Sequence, residues 1–269
     1  MSTPSTQLQA ALDAAQAAGE VIRSLYGRKV RVQIKPDHSP VTEADMRAEE
    51  IIRRMLSERC PSYGFYGEET GGERLDAEAV WLVDPLDGTK SFIRECPFFS
   101  TQIALLRAGR LVLGVSSAPL YRELAWAEEG CGAFLNGAPV RVSATTDFAD
   151  AVISSGNLKS LAASAHSWQR FGALIQRVSR IRGYGDFVHY HLLARGALDI
   201  VLESDVNILD IAALSVIVRE AGGRCTDLQG EPLGLSTTSV LATNGALHQP
   251  VLEALATAGA LSPRVRLKR

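Results

Sequence analysis

Apolar residues recur at helical spacing from the start of the chain. Leu8, Leu12, Ala15, Ala18, Val21, Ile22 and Leu25 share one face, so the spacing predicts an opening helix over 5–26. The pattern changes to alternation over 30–35, a strand, and breaks at the turn Pro36-Asp37-His38-Ser39-Pro40. Thr42 is placed to cap a second helix running through residue 56. Short apolar runs at 63–66 and 79–83 read as strands, the second of them buried, and 88–93 reads as a helix start. Residues 100–106, 111–117, 123–127 and 133–135 read as an antiparallel meander, with turns at Arg107-Ala108-Gly109-Arg110 and Asn136-Gly137.

From residue 151 the pattern alternates between helix and strand. Strands are predicted near 151–154, 181–184, 198–202, 224–227 and 239–243, and helices near 167–179, 186–195, 209–221 and 247–258. The seam falls at 144–150, too short for a flexible linker, and divides the chain into 1–146 and 147–269. An α+β half followed by an α/β half is expected, with a site between them.

Composition narrows the function classes. The chain has 269 residues, 46% apolar and 22% charged, enough for one large core or two tightly joined halves. A net charge of −2 leaves no basic footprint for nucleic acid or an anionic membrane, so an anionic substrate must be attracted locally, as a bound metal would do. Cys60, Cys96, Cys131 and Cys225 are scattered without a CxxC pair, which fits reduced thiols better than zinc ribbons or disulfides. There is no secretory leader pattern, and no run approaches the ~18 apolar residues of a membrane span. A cytoplasmic protein is expected.

The candidate chemistry is acidic. Asp84-Pro85-Leu86-Asp87-Gly88-Thr89 ends an apolar strand with two carboxylates three residues apart and then opens a helix. Such a segment offers carboxylates to Mg²⁺ and helix-start amides to a phosphate, although its composition also suits a plain turn. Glu68 and Glu69 follow the strand at 63–66. Asp45 and Asp210 sit in the first turns of helices, where a capping role is the simpler explanation.

Taken in order, Lys35-x-Asp-x-Ser-Pro-Val-Thr-Glu-Ala-Asp45, Gly67-Glu68-Glu69, Asp84-Pro-Leu-Asp-Gly-Thr89 and Asp210-x-Ala-Ala213 resemble the inositol-monophosphatase superfamily of Mg²⁺-dependent, lithium-sensitive phosphatases. The likeness runs from about Gln7 to the C-terminal helix and includes Ala221-Gly222-Gly223. It implies a layered αβαβα sandwich of the inositol-monophosphatase and fructose-1,6-bisphosphatase type. It also implies a homodimer.

Carried over position by position, the resemblance gives one Mg²⁺ to Glu68, Asp84 and the Leu86 carbonyl, and a second to Asp84, Asp87 and Asp210, bridged by Asp84. Two close cations need several full negative charges around them. Thr89 matches the hydroxyl that orients a water, and Asp45 the carboxylate that hydrogen-bonds it. A metal-activated water would attack phosphorus in line, with Glu68, Thr89 and Asp45 as the catalytic set. Gly88 and Thr89 would grip the phosphate through their N–H groups. Glu69 would stand behind the ligands or hold a third ion, or else be a solvated surface residue.

Substrate choice rests on Arg182-Gly183-Tyr184-Gly185-Asp186-Phe187. Inositol phosphatases usually carry a small neutral residue after the second Gly; here it is Asp186. With Gly88-Thr89-Lys90-Ser91-Phe92-Ile93, this looks like the histidinol-phosphate phosphatases of the superfamily. Asp186 and Glu203, which matches the family's leaving-group-contacting Glu, would then share an ammonium with Gly185 and Asp210 nearby. Asp186 also suits the N-cap of the helix that follows. Leu209 stands where Trp is usual before the Asp, and Glu95-Cys96 where the stretch often begins with Gly. His189 and His191 lie two apart on one helix, hence on different faces, and are read as structural or solvent-facing. Lys159, Arg170 and Arg177 are read as solvated.

The leading expectation is hydrolysis of L-histidinol phosphate to L-histidinol and phosphate, in histidine biosynthesis. The alternatives are an inositol-1-phosphate or broad sugar-phosphate phosphatase and, more weakly, a 3′-phosphoadenosine phosphatase type, for which no second basic cluster is evident. A catalytically dead binding or regulatory homologue should have lost a ligand, and none is lost.

Overall fold

The computed structural model describes residues 4–256. Helix α1 (Thr6–Leu25) starts at Ser5, whose side chain accepts from the Leu8 N–H, as the periodicity predicts. A hairpin of β1 (Val32–Ile34) and β2 (Pro40–Thr42) leads into α2 (Glu43–Arg59). The expected strand at 30–35 is thus shorter, and β1 pairs only with β2, outside the main sheets.

The strands β3 (Gly64–Gly67), β4 (Gly71–Glu73) and β5 (Ala79–Asp87) come next, then the short helix α3 (Thr89–Ile93). The meander is β6 (Ser100–Arg107), β7 (Arg110–Ala118), β8 (Glu123–Glu128), β9 (Ala133–Leu135) and β10 (Ala138–Val140). These form an eight-stranded sheet, β10-β9-β8-β7-β6-β5-β3-β4, parallel only between β3 and β5.

The remainder is β11 (Val152–Gly156), α4 (Lys159–Ala163), α5 (Ala165–Ile175), β12 (Arg180–Arg182), α6 (Asp186–Ala194), β13 (Ile200–Ser204), α7 (Ile208–Glu220), β14 (Arg224–Thr226), β15 (Ser239–Thr243) and α8 (His248–Ala256). Its strands form a second sheet, β12-β11-β13-β15-β14, of mixed direction.

Alternation along the strands builds the layers. Trp81 and Val83 of β5 pack with Ala11, Ala15, Ile22, Ala48 and Ile52 of α1 and α2. Val80 and Leu82 point the other way, into a core with α6 and α7. Val201 and Val240 of the second sheet reach that same middle core, while Leu202 and Leu241 pack with Leu161, Phe171 and Val251 of α4, α5 and α8. The order is therefore α1/α2, eight strands, α6/α7, five strands, α4/α5/α8: an αβαβα sandwich, as the resemblance implied.

Helix α7, apolar all round, is buried because sheets cover it on two sides. A Cβ on Gly114 of β7 would lie 2.3 Å from the Ala213 carbonyl oxygen, so only glycine permits this approach of helix to sheet.

The departures have local causes. Strands β4 and β10 and helix α4 carry no apolar period to read, having three, three and five residues. Helix α5 starts at Ala165, earlier than expected, because Ser164 caps it through the Ser167 N–H. The helix expected at 247–258 is α8, and residues 257–258 lie outside the described residues. Among the described residues no helix is long and apolar enough to cross a membrane.

Candidate active site

Regular alternation would send Asp84 and Asp87 to opposite faces of β5. Instead the pairing with β6 shifts between them: Asp84 faces Gln102 and Asp87 faces Ser100, so the stretch Pro85-Leu86 opposes Thr101 alone. The bulge turns both carboxylates to one side. Thr101 Oγ1 donates to the Pro85 carbonyl at 2.9 Å, and the Leu86 N–H donates to Asp84 Oδ1 at 2.9 Å, which holds the bulge in shape. What sequence alone reads as a strand followed by a turn is a continuous strand to Asp87. Gly88 then takes φ 93° to open α3, and a Cβ there would meet the Phe98 carbonyl oxygen at 2.5 Å.

Two further aspartates arrive on helix starts, and each has two jobs. At α2, Asp45 Oδ2 accepts the Thr42 N–H at 2.8 Å in a capping box, while Oδ1 accepts from Thr89 Oγ1 at 2.7 Å. At α7, Asp210 Oδ2 accepts the Asn207 N–H at 2.9 Å in a second capping box. The capping role and the site role are therefore compatible at Asp45 and Asp210, because a carboxylate has two oxygens. Thr89 Oγ1 also lies 3.1 Å from the Leu86 carbonyl oxygen.

At the end of β3, Glu68 and Glu69 share Lys35, whose Nζ is 2.8 Å from Glu68 and 3.2 Å from Glu69. Burial disfavours the Lys35 charge, but the hydrogen bonds and charges of these two glutamates outweigh it and raise its pKa. Glu49, fully buried on α2, holds this corner, and no motif in the sequence singles it out. Its Oε2 accepts the Glu69 N–H and its Oε1 the Thr70 N–H, both at 2.9 Å. A Cβ on Gly67 would lie 2.5 Å from its carboxyl carbon. The Glu-to-Gly pairing gave no local signal, because 18 residues separate Glu49 from Gly67 in sequence. Glu49→Ala leaves two part-buried backbone donors and the Thr70 hydroxyl without their acceptor, and should lower unfolding free energy by roughly 1–3 kcal/mol in urea titration.

The second half supplies Gly185, Asp186 and Glu203. Asp186 does not cap its helix: the cap is Gly185, no side-chain cap bond forms, and Asp186 is the first helical residue with φ 46°. Gly185, at φ 74°, takes the cap position, so the carboxylate of Asp186 is free for other partners. Glu203 is buried on β13 with Oε2 2.8 Å from Tyr190 Oη and 3.0 Å from His189 Nε2. His189 and His191 are both buried, on different faces of α6 as their spacing predicts. His191 sits 2.8 Å from Glu123 Oε2 and 2.9 Å from Ser116 Oγ. Ser116, Gln102 and Ser100 continue that chain to Asp87, so these polar residues, all missed in sequence, brace a site carboxylate.

The electrostatics show that the carboxylates converge. Carboxylate oxygens of Asp84, Asp87 and Asp210 lie within 4.8 Å of one another. Burial first, then Glu68, Asp87 and Asp210, pushes Asp84 well above the ordinary carboxylate range. Asp87 is raised by burial, then by Asp186, Asp210, Glu203 and Glu68. Asp210 is pushed up to about 7 by burial, against the Asn207 hydrogen bond and with Glu68, Glu203 and Asp186 adding to it. Asp186 rises to about 6 through burial and Glu203, and Glu69 to about 7 through burial and Glu68. Asp45 is raised by burial, opposed by Thr42 and Thr89.

Among the described residues, none of the ion pairs puts a Lys or Arg on Asp84, Asp87 or Asp210. Buried like charges without a basic partner fit a hard divalent cation, which takes oxygen ligands and removes their repulsion. Lys159 is exposed, Arg170 donates to the Leu255 carbonyl and Arg177 stacks on Phe148, so they serve the outer layer. Leu209 is packed in the middle core.

Comparison with known proteins agrees with this geometry. The model of the inositol monophosphatase family matches residues 4–260. A histidinol-phosphatase of Mycobacterium tuberculosis is 42% identical over 254 residues, 92% of this chain and 97% of that protein. An inositol-1-monophosphatase of Synechocystis is 36% identical, covering 93% and 89%. In structure, the extragenic suppressor protein suhB of Bartonella henselae superposes with a TM-score of 0.87 at 34% identity, over 94% of this chain and all of that one.

Proposed function

The chain belongs to the inositol monophosphatase family of metal-dependent phosphomonoesterases, and from that premise we propose that its substrate is L-histidinol phosphate, cleaved to L-histidinol and phosphate with Mg²⁺. Glu68, Asp84 and the Leu86 carbonyl would hold one ion, Asp84, Asp87 and Asp210 a second, and Glu69 a third where one binds. Ions held there supply an activated water and charge neutralisation on the phosphoryl and leaving oxygens.

The chain's own residues do the rest. Thr89 Oγ1, hydrogen-bonded to Asp45, aims the water. The N–H groups of Gly88 and Thr89 face the phosphate at the start of α3. Residues 1–146 carry most of the metal ligands and 147–269 the substrate end. A cytoplasmic homodimer, joined through the antiparallel meander and adjacent helices, belongs to the same proposal; the four cysteines are free thiols.

The observation that supports this substrate is Asp186. It has no capping bond, and its charge is felt by Asp87 and Asp210 and adds to that of Glu203. Two carboxylates beyond those needed for metal suit a leaving group that carries an ammonium next to its phosphate ester, and give a polyol no charge advantage. Relatives named histidinol-phosphatase are 35–42% identical, and the Synechocystis inositol-1-monophosphatase keeps the polyol phosphate as the alternative.

Side-by-side kinetics at saturating Mg²⁺ decide between them: kcat/KM for histidinol phosphate should exceed that for inositol-1-phosphate. Asp186→Ala should cost histidinol phosphate roughly 10–100-fold, the worth of a charge-assisted hydrogen bond, and p-nitrophenyl phosphate much less. A preference for inositol phosphate would overturn the substrate but leave the reaction class.

A further inference from the structure

The buried polar residues behind Glu203 form one directed chain. The Tyr184 N–H donates to Ser154 Oγ at 3.2 Å, and Ser154 Oγ lies 3.3 Å from His189 Nδ1. The Glu203 carboxylate on the far side of the ring only accepts, so Nε2, 3.0 Å from Oε2, carries the imidazole proton and Nδ1 is left to accept from the Ser154 hydroxyl. Tyr190 Oη donates to that same oxygen at 2.8 Å.

Both donors thus address Oε2, and Oε1 is left for something else. It rests against Gly156, where a Cβ would come within 2.6 Å of it and 3.4 Å of the Gly185 Cα. The free oxygen therefore lies against the end of β11, where Gly185 at the start of α6 also approaches, and the Glu203 charge is felt by Asp186. His189 and Tyr190 are essentially inaccessible, with 0% and 1% exposure, so water cannot replace either donor without opening the core.

We propose that His189, set by Ser154 and assisted by Tyr190, is a positioning residue that locks the Glu203 carboxylate with one oxygen spent on the protein and the other presented to the leaving group. The inference deepens the ammonium reading above and rests on it for the nature of the leaving group. It explains why a histidine occupies a fully buried helix position that an apolar residue would fill more simply. A carboxylate free to rotate would lose directional contact with the substrate, and a single fixed oxygen together with Asp186 makes a two-point seat.

The test is a double-mutant cycle on the full-length, Mg²⁺-loaded enzyme, using His189→Ala and Glu203→Gln with histidinol phosphate and p-nitrophenyl phosphate as substrates. His189→Ala should raise KM for histidinol phosphate about tenfold, mainly in KM and not kcat, and lower the ratio of kcat/KM between the two substrates by a similar factor. His189→Gln, which returns an N–H toward Oε2, should recover most of that ratio. In the Glu203→Gln background, His189→Ala should add little.

Equal losses on both substrates, or full additivity with Glu203→Gln, would overturn the proposal in favour of simple core packing. Should His189→Ala not fold, Tyr190→Phe removes one hydroxyl and carries the same expectation at smaller size. If the wild type prefers inositol-1-phosphate, the ammonium reading fails, and the cycle repeated on that ester still decides whether His189 acts through Glu203.

Discussion

Asp84→Asn is expected to reduce phosphate release by about 10³-fold or more, because one substitution removes a charge that serves both proposed ions, a loss of several kcal/mol of transition-state stabilisation. Asparagine keeps the oxygen that accepts the Leu86 N–H, so the bulge in β5 survives. The same change removes a buried carboxylate that Glu68, Asp87 and Asp210 repel. The metal-free variant should then unfold no earlier than the wild type, and activity and stability should move in opposite directions. Turnover near wild type at saturating Mg²⁺ would dismiss the bridging assignment, and a collapsed melting transition would dismiss the claim that the loss is chemical.

Removing the metal should make stability fall as pH rises. Asp210 and Glu69 titrate near 7 in the folded protein and near 4 when unfolded, with Asp84 and Asp87 also raised. Between those values the folded state binds more protons than the unfolded one, so unfolding free energy declines as pH climbs through 7. His191 and His248 are shifted down, which acts with the opposite sign, but that contribution is complete once pH passes their unfolded value near 6.5.

From pH 6.5 to 8.0 in EDTA the loss should be on the order of 1–2 kcal/mol, a few degrees in melting temperature. Saturating Mg²⁺ should abolish the slope and stabilise more at pH 8.0 than at 6.5, since cations compete with protons for the same oxygens. A Mg²⁺ effect of equal size at both pH values would place the ions away from these carboxylates.

Much of this was legible in the chain. Helical spacing in α1 and strand alternation in β5 to β8 set the layers, because each face must bury its own stripe. Motif order brought Asp84, Asp87, Asp210, Glu68 and Asp45 to one place. Other features were not legible, each for a physical reason. The bulge depends on which residue of β6 stands opposite, and register is a property of the pair. Glu49 and His189 make their contacts across 20 and 14 residues, and buried polar side chains leave no periodic trace. Asp186 read as a substrate contact that also suited the N-cap, and the cap is taken instead by Gly185 at φ 74°.

The twin capping boxes carry an evolutionary consequence. Asp45 and Asp210 each nucleate the helix they stand on while offering an oxygen to the centre. A descendant that abandoned hydrolysis could not discard either side chain freely, since the loss would also fray α2 or α7, the latter running through the heart of the molecule. Drift away from activity should therefore begin elsewhere, at Thr89 or Glu68, and inactive cousins should keep both aspartates long after their chemistry has gone.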